Sequence, residues 1–196
     1  MILSTSMLLN RLKNYGNPST KIGRLVKDGV LFPLTKGLYE DNRNASGPYL
    51  ASAIYGPSYI SFNYALMYYG LIPEAVYDIT SATTEKLKKK SFTNKFGTFT
   101  YRDIPLEAFP YGIRVMNEGG YVFMMASKEK ALCDKLYELS PVRSQRELKD
   151  LLFNDMRIDE NEFNLLNRED IYFIAPKYHS RNLTFLLNYL RRKHHE

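Results

Sequence analysis

The sequence has no tryptophan, a single cysteine, three histidines and no long apolar run. A lone Cys133 cannot close a disulfide within the chain, and it reads best as a small apolar residue packed inside a helix. His179, His194 and His195 are too scattered, with the last two at a fraying end, to give the ligand spacing of a zinc site. The longest apolar stretch, Tyr121 to Ala126, is far short of the roughly 20 residues a membrane-spanning helix requires. Ser4, Thr5 and Ser6 interrupt the N-terminal apolar residues, which argues against a signal peptide and for a cytoplasmic address. A phosphate-binding loop is missing, as is the Gly-Ser pair followed by Asp-x-Asp that marks nucleotidyltransferases. No Ser-His-Asp or Cys-His set can be assembled with any specificity. Glu147-Leu148-Lys149 has the acidic-x-Lys form of some nucleases, yet it falls in a helical pattern without a partnered carboxylate. The expectation is a protein that binds rather than catalyses, with no metal and no cofactor.

What is present is the composition of a folded chain. The 196 residues are 44% hydrophobic and 24% charged, with Tyr 16 and Phe 11, enough apolar material to bury a core. The net charge is +6 and the sequence pI about 9.2, an excess that favours an anionic partner. Most of it lies near the N-terminus: residues 1–43 hold Arg11, Lys13, Lys21, Arg24, Lys27, Lys36 and Arg43 against only Asp28, Glu40 and Asp41.

That basic segment has an organised pattern. Between Pro18 and Gly29, the apolar Ile22, Leu25 and Val26 fall at i, i+3 and i+4 and share one helical face. Pro18 suits the first turn and Gly29 the left-handed position after the last. Upstream, Met7, Leu8, Leu12 and Tyr15 form a second short amphipathic pattern closed by Gly16 and Asn17. Downstream, Val30 to Leu34 and Gly37 to Glu40 read as strands joined at Thr35 and Lys36. Two helices and a hairpin suggest a minimal winged helix-turn-helix over 1–43, one helix short of the usual three. In such a module Ser19, Thr20, Lys21 and Arg24 would face the major groove, with Arg24 the best base reader. Lys27, Lys36 and Arg43 would meet phosphates. A basic helix that is merely solvated remains the competing reading.

Residues 44–60, with two Gly-Pro pairs, read as a connector, and 61–196 as a second domain. In it, Ser61 caps a helix that stops at Gly70. Val76 to Ala82 and Gly97 to Asp103 read as strands, Tyr111 to Met116 and Tyr121 to Met125 as a hairpin around Gly119-Gly120. Residues 127–139 are helical with Ser127 as cap and Leu132, Leu136 and Leu139 inward, and two or three helices follow. The segment "TTEKLKKKSFTNKF", residues 83–96, mixes Lys86, Lys88, Lys89, Lys90 and Lys95 with Phe92 and Phe96. It is a candidate second nucleic-acid surface, or else a solvated loop whose Phe residues turn into the core. Arg191, Arg192 and Lys193 have the same ambiguity. The fold class expected is α+β: the winged module, then a mixed α/β domain with a small, largely antiparallel sheet and C-terminal helices.

The stretches "RLVKDGVLFPLTKGLYED", "PSYISFNYALMYYGLIPEAVYDITSATT", "FGTFTYRDIP" and "ASKEKALCDKLY" occur in this order over most of residues 20–140. Together they resemble the AbiEi-type antitoxins, predicted transcriptional regulators of viral defence in type IV toxin-antitoxin systems. The resemblance implies an N-terminal winged-helix DNA-binding domain, a C-terminal antitoxin domain and repression of the protein's own operon. It also implies an adjacent AbiEii-like nucleotidyltransferase toxin that is opposed without a stable complex. By resemblance, Arg24, Lys27 and Lys36 would contact operator DNA. The alternative is an RNA- or protein-binding module with a vestigial wing.

Overall fold

The computed structural model describes residues 1–192, so the readings placed on Lys193, His194 and His195 lie outside the described residues. The chain begins with β1 (Ile2–Ser4), α1 (Thr5–Arg11), α2 (Pro18–Lys27), β2 (Phe32–Thr35) and β3 (Leu38–Glu40). Ser4 caps α1, its Oγ accepting from the Met7 N–H at 3.2 Å, and Asn17 caps α2, its Oδ1 accepting from the Thr20 N–H at 3.0 Å. After α2, Gly29 takes φ +68° and the N–H groups of Val30 and Leu31 both return to the Leu25 carbonyl, at 2.9 and 3.1 Å. This closure uses Val30 and Leu31, so the strand expected from residue 30 begins at Phe32. Gly37, at φ +79°, belongs to the turn with Lys36 and not to β3.

The three strands form an antiparallel sheet in the order β1-β3-β2. Leu3, Leu8, Ile22 and Leu31 are buried together beneath it, with Leu12, Leu25, Val26 and Tyr39 packed around them. The periodicity of α2 is therefore realised as expected: Ile22 turns inward while Ser19, Thr20, Arg24 and Lys27 stay exposed. β1 was not legible in the sequence, since three residues are too few to show alternation.

A 3₁₀ turn (Gly47–Leu50), α3 (Ala51–Ile54) and β4 (Ser58–Ile60) follow. The expected connector 44–60 thus carries a buried strand: β4 lies inside a six-stranded sheet, with Ser58, Tyr59 and Ile60 all buried. Next come α4 (Phe62–Tyr68), β5 (Ile79–Thr83), β6 (Lys90–Asn94), β7 (Gly97–Asp103), β8 (Ile113–Glu118) and β9 (Tyr121–Ala126). The strand order is β6-β7-β5-β4-β9-β8. β5/β7 and β4/β9 are parallel and the other neighbours antiparallel, so the sheet is larger than expected and mixed. The physical reason is β4, which pairs on both sides and joins what would otherwise be two smaller sheets.

The helices α5 (Lys128–Glu138), α6 (Gln145–Asp150), α7 (Glu160–Asn164), α8 (Arg168–Ile174) and α9 (Arg181–Arg192) complete the body, with a π-helical turn at Leu151–Asp155 and a 3₁₀ turn at Ala175–Tyr178. Leu50, Leu66, Phe99, Leu132, Leu148 and Leu186 are among the residues of one continuous core. The N-terminal sheet packs against this body. Leu34 joins the main core, the Phe32 ring meets Phe96 edge-on at 6.0 Å, Asn94 Nδ2 donates to the Leu34 carbonyl at 3.1 Å, and the Tyr121 hydroxyl donates to Glu40 Oε1 at 2.8 Å. The architecture is α+β, with a small antiparallel sheet, a larger mixed sheet and flanking helices. Among the described residues no helix is long and apolar enough to cross a membrane.

Candidate nucleic-acid interface

On α2, Thr20 and Arg24 lie on the side opposite Ile22 and Lys21 on its flank, whereas Ser19, one turn before Ile22, is open at the start of the helix. Ser19, Thr20, Arg24 and Lys27 are exposed, and Lys21 is half-buried with its Nζ 5.4 Å from the centre of the Tyr15 ring. Tyr15, Gly16, Asn17, Thr20, Lys21 and Arg24 line a depression of about 330 Å³ at the start of the helix. Sequence reasoning did not assign Tyr15 or Asn17 to this surface. The contact with the Tyr15 ring restricts the Lys21 side chain, so less ordering is needed when an anion arrives. Lys36 is exposed at the β2–β3 turn, which is tied to the start of α1: the Gly37 carbonyl accepts from the Thr5 N–H at 2.9 Å and from Thr5 Oγ1 at 3.2 Å.

Arg43 is exposed beyond β3 and stands near Lys95. Desolvation, and then the Arg43 charge, lower the Lys95 pKa. Lys95 also sits 3.7 Å from the centre of the Phe32 ring, on the N-terminal sheet. The five lysines of segment 83–96 are therefore divided. Lys95 lies at one end of β6, against the N-terminal module, whereas Lys86, Lys88, Lys89 and Lys90 lie at the other. The segment is also not simply a loop between two strands, because residues 90–94 form the edge strand β6, paired with β7. Phe92 and Phe96 are half-buried against the core, as the solvated-loop reading held.

Lys88 and Lys89 line a second depression, of about 410 Å³, with Phe62, Leu87, Arg102, Asp103, Tyr137 and Glu138. Asp103 organises its rim: Oδ2 accepts from the backbone N–H groups of Lys86, at 2.7 Å, and Leu87, at 2.5 Å. Arg102 pairs with Glu138, which also takes Lys135 at 3.3 Å. Burial, and then the charges of Arg102 and Lys89, lower the Lys135 pKa. Phe62, Arg102, Tyr137 and Glu138 come from three elements distant in sequence, so no local pattern announces them.

The polar residues of "ASKEKALCDKLY" have a different place. Ser127 caps α5, accepting from the Lys130 N–H at 3.2 Å, as expected. Lys130 and Asp134 are fully buried, their charged groups 3.3 Å apart. Asp134 accepts from the Ser61 hydroxyl at 2.6 Å, the Tyr59 hydroxyl at 3.1 Å and the Tyr178 hydroxyl, while Lys130 Nζ donates to the Ala108 carbonyl at 2.7 Å. Ser61 thus makes no side-chain cap for α4; its hydroxyl is committed to Asp134. Burial, reinforced by the Asp134 charge, holds the Tyr59 and Tyr178 hydroxyls well above their ordinary pKa. Cys133 is buried beside them and its thiol pKa is pushed up by burial. Among the described residues, no three His, Cys, Asp or Glu side chains gather as a metal ion would need.

No family model and no curated protein matches the chain. A solved structure similar to it is that of the RV2827C protein from Mycobacterium tuberculosis, with 14% sequence identity, 96% of this chain and 76% of that one covered, and a TM-score of 0.49. A likeness of this degree carries no argument about function.

Proposed function

We propose that the chain is a DNA-binding autorepressor and antitoxin of an AbiE-like system, with its two N-terminal helices and hairpin acting as a minimal winged helix. The observation that carries this reading is the outer side of α2. A helix of ten residues buries Ile22 and leaves Ser19, Thr20, Arg24 and Lys27 exposed beside Lys21, with no acidic side chain within the helix. Small polar groups and guanidinium on the free side of a helix suit base edges, and the flanking ammonium groups suit phosphates. Lys36 on the hairpin turn supplies a further phosphate contact. Operator DNA of the protein's own operon is the partner, and an AbiEii-like nucleotidyltransferase the toxin opposed, without a stable complex.

The test is a titration with DNA from upstream of the protein's own gene against scrambled DNA at two salt concentrations. Specific binding that weakens steeply with salt, and that Arg24→Glu abolishes without loss of fold, is the expected result. Equal affinity for the two DNAs, or unchanged binding by Arg24→Glu, would remove the assignment.

A second reading rests on the depression beneath Lys88 and Lys89. Crowded cations beside the Tyr137 ring suit an RNA strand, with phosphate on the lysines and a base on the ring. If this surface is the one used, reversing Lys88 and Lys89 to Glu harms binding more than reversing Arg24.

A further inference from the structure

The two edges of the six-stranded sheet are treated differently. At β6, the edge is covered in part by β2, through the Asn94 to Leu34 bond and the Lys95–Phe32 contact. At β8, which ends the other side, Arg114, Val115 and Asn117 are exposed. Val115, Val122 and Met124 form an apolar stripe on one face of the β8–β9 hairpin, exposed at 69%, 65% and 47%. An exposed edge strand with an apolar stripe is a template for pairing unless something controls its partner.

The backbone phase of that edge can be read from the turn. Gly119 and Gly120, at φ +58° and +80°, make a two-residue turn between Glu118 and Tyr121. In such a hairpin the flanking pair exchanges both backbone bonds. Counting in twos, Glu118, Met116 and Arg114 commit their N–H and C=O groups to β9, and Ile113, Val115 and Asn117 direct theirs outward.

From this geometry we propose that β8 pairs antiparallel with β8 of a second copy of this chain, about a two-fold axis at Met116. In that register Val115 exchanges both backbone bonds with the partner's Asn117, as the outward phase requires. Arg114 then lies directly opposite the partner's Glu118, and Glu118 opposite the partner's Arg114, on the same face. Moving the axis to Val115 sets Arg114 against the partner's Met116 and Glu118 against the partner's Gly112; moving it to Asn117 sets Glu118 against the partner's Met116. Of these three registers only the one centred on Met116 satisfies both charges, so the pair that guards the edge also selects its occupant. Glu118 Oε1 already accepts from the Tyr68 hydroxyl at 3.1 Å, which fixes the carboxylate near the edge.

One short strand per copy buries less than the roughly 1,200–2,000 Å² typical of a stable interface, so the dimer is weak and concentration-dependent. It stands whether or not α2 meets DNA.

Sedimentation equilibrium over a broad concentration range tests it. The wild type is expected to shift from monomer to dimer; Glu118→Arg alone and Arg114→Glu alone each weaken association about tenfold or more, because each places like charges opposite one another twice. Combining the two restores it to within about threefold. Met116→Cys provides an independent reading. The central pair is of the closely spaced type, about 4.5 Å between Cα atoms, within disulfide range; Cys133, fully buried, does not compete. Mild oxidation of the native Met116→Cys protein therefore yields a covalent dimer. A chain that stays monomeric at every concentration, a dimer indifferent to the charge changes, or a Met116→Cys protein that fails to cross-link overturns the proposal.

Discussion

Replacing Asp134 by Ala removes the acceptor around which the interior of the body is organised. The carboxylate takes hydroxyls from Ser61 on the approach to α4, Tyr59 on β4 and Tyr178 on the 3₁₀ turn before α9, and stands 3.3 Å from Lys130 on its own helix. Without it, three hydroxyls lose a partner, and the buried ammonium retains the Ala108 carbonyl and the Tyr178 oxygen. Removing one partner of a buried ion pair costs about 3–5 kcal/mol, a large share of the roughly 5–15 kcal/mol by which a domain is stable. With a urea slope of about 2–3 kcal/mol/M, the unfolding midpoint should fall by about 1–2.5 M. The sign of the pH dependence is fixed by Lys130. Burial lowers its pKa below 10.5, and Asp134 opposes that shift. In the variant the opposition is gone and the folded-state pKa falls further. Between that value and 10.5 the unfolded chain holds more protons than the folded one, so stability rises with pH in this window, more widely for Asp134→Ala than for the wild type. Urea titrations followed by circular dichroism at several pH values read both effects. Lys130→Met combined with Asp134→Leu should cost less than the sum of the single changes, since no lone charge is left behind. A loss below about 1 kcal/mol for Asp134→Ala, or strict additivity in the double variant, would refute the account of a coupled buried pair.

Gly47→Ala should destabilise by about 1–3 kcal/mol, because its Cβ would lie 2.6 Å from the Phe96 carbonyl oxygen and 2.5 Å from Ile79 Cδ1; thermal unfolding that matches wild type would contradict the close packing of this stretch. Leu8→Ala should cost about 2–5 kcal/mol by opening the small N-terminal core, read as earlier loss of amide protection over residues 1–43 than over the sheet. Tyr59, Tyr101 and Tyr178 have raised pKa values in the fold, chiefly through burial. Above their ordinary value of 10.0 the unfolded chain releases protons that the folded one keeps, so stability falls with rising pH, and their ionisation should coincide with alkaline unfolding in a tyrosinate absorbance titration; smooth ionisation of all sixteen tyrosines before unfolding would count against it. Cys133 should resist thiol reagents in the native protein and react at the rate of unfolding, and prompt native labelling would be inconsistent with its burial.

Elements with strong local signals were legible in the sequence. α2 has apolar residues on one face, Pro18 at its start and Gly29 at its stop, and it forms where those marks place it. β7 and the β8–β9 hairpin follow from alternation and the Gly119-Gly120 turn. The failures share a physical cause, namely that the deciding interaction is distant in sequence. Residues 58–60 look like the end of a linker because Gly56 and Pro57 precede them, and only pairing with β5 and β9 makes them a strand. Ser61 has the composition of a cap, but a carboxylate 73 positions away takes its hydroxyl. Lys95 reads as one of a basic group, yet an aromatic ring of the N-terminal sheet places it apart. The candidate site divides in the same way: the exposed cations of α2 follow from helical period, whereas the depression at Lys88 and Lys89 draws on α4, β7 and α5.

The burial of Lys130 and Asp134 changes what "ASKEKALCDKLY" can mean. A charged pair at i and i+4 on a helix is ordinarily a solvated face, and here it is the polar centre of a core, with hydroxyls from β4, the start of α4 and the turn before α9 converging on one carboxylate. Residues of this kind specify how a sheet and its helices come together, and they do not meet a partner. In "RLVKDGVLFPLTKGLYED", by contrast, Arg24, Lys27 and Lys36 are exposed. Among the surfaces that expose cations are the side of α2 around Arg24 and the rim at Lys88 and Lys89. Their charge reversals are separated in space and share no hydrogen-bond partner, so their effects on binding should add. If both contribute to one nucleic-acid footprint, each reversal lowers the salt dependence of affinity in proportion to the phosphates it gives up; if only α2 is used, Lys88 and Lys89 leave that slope unchanged.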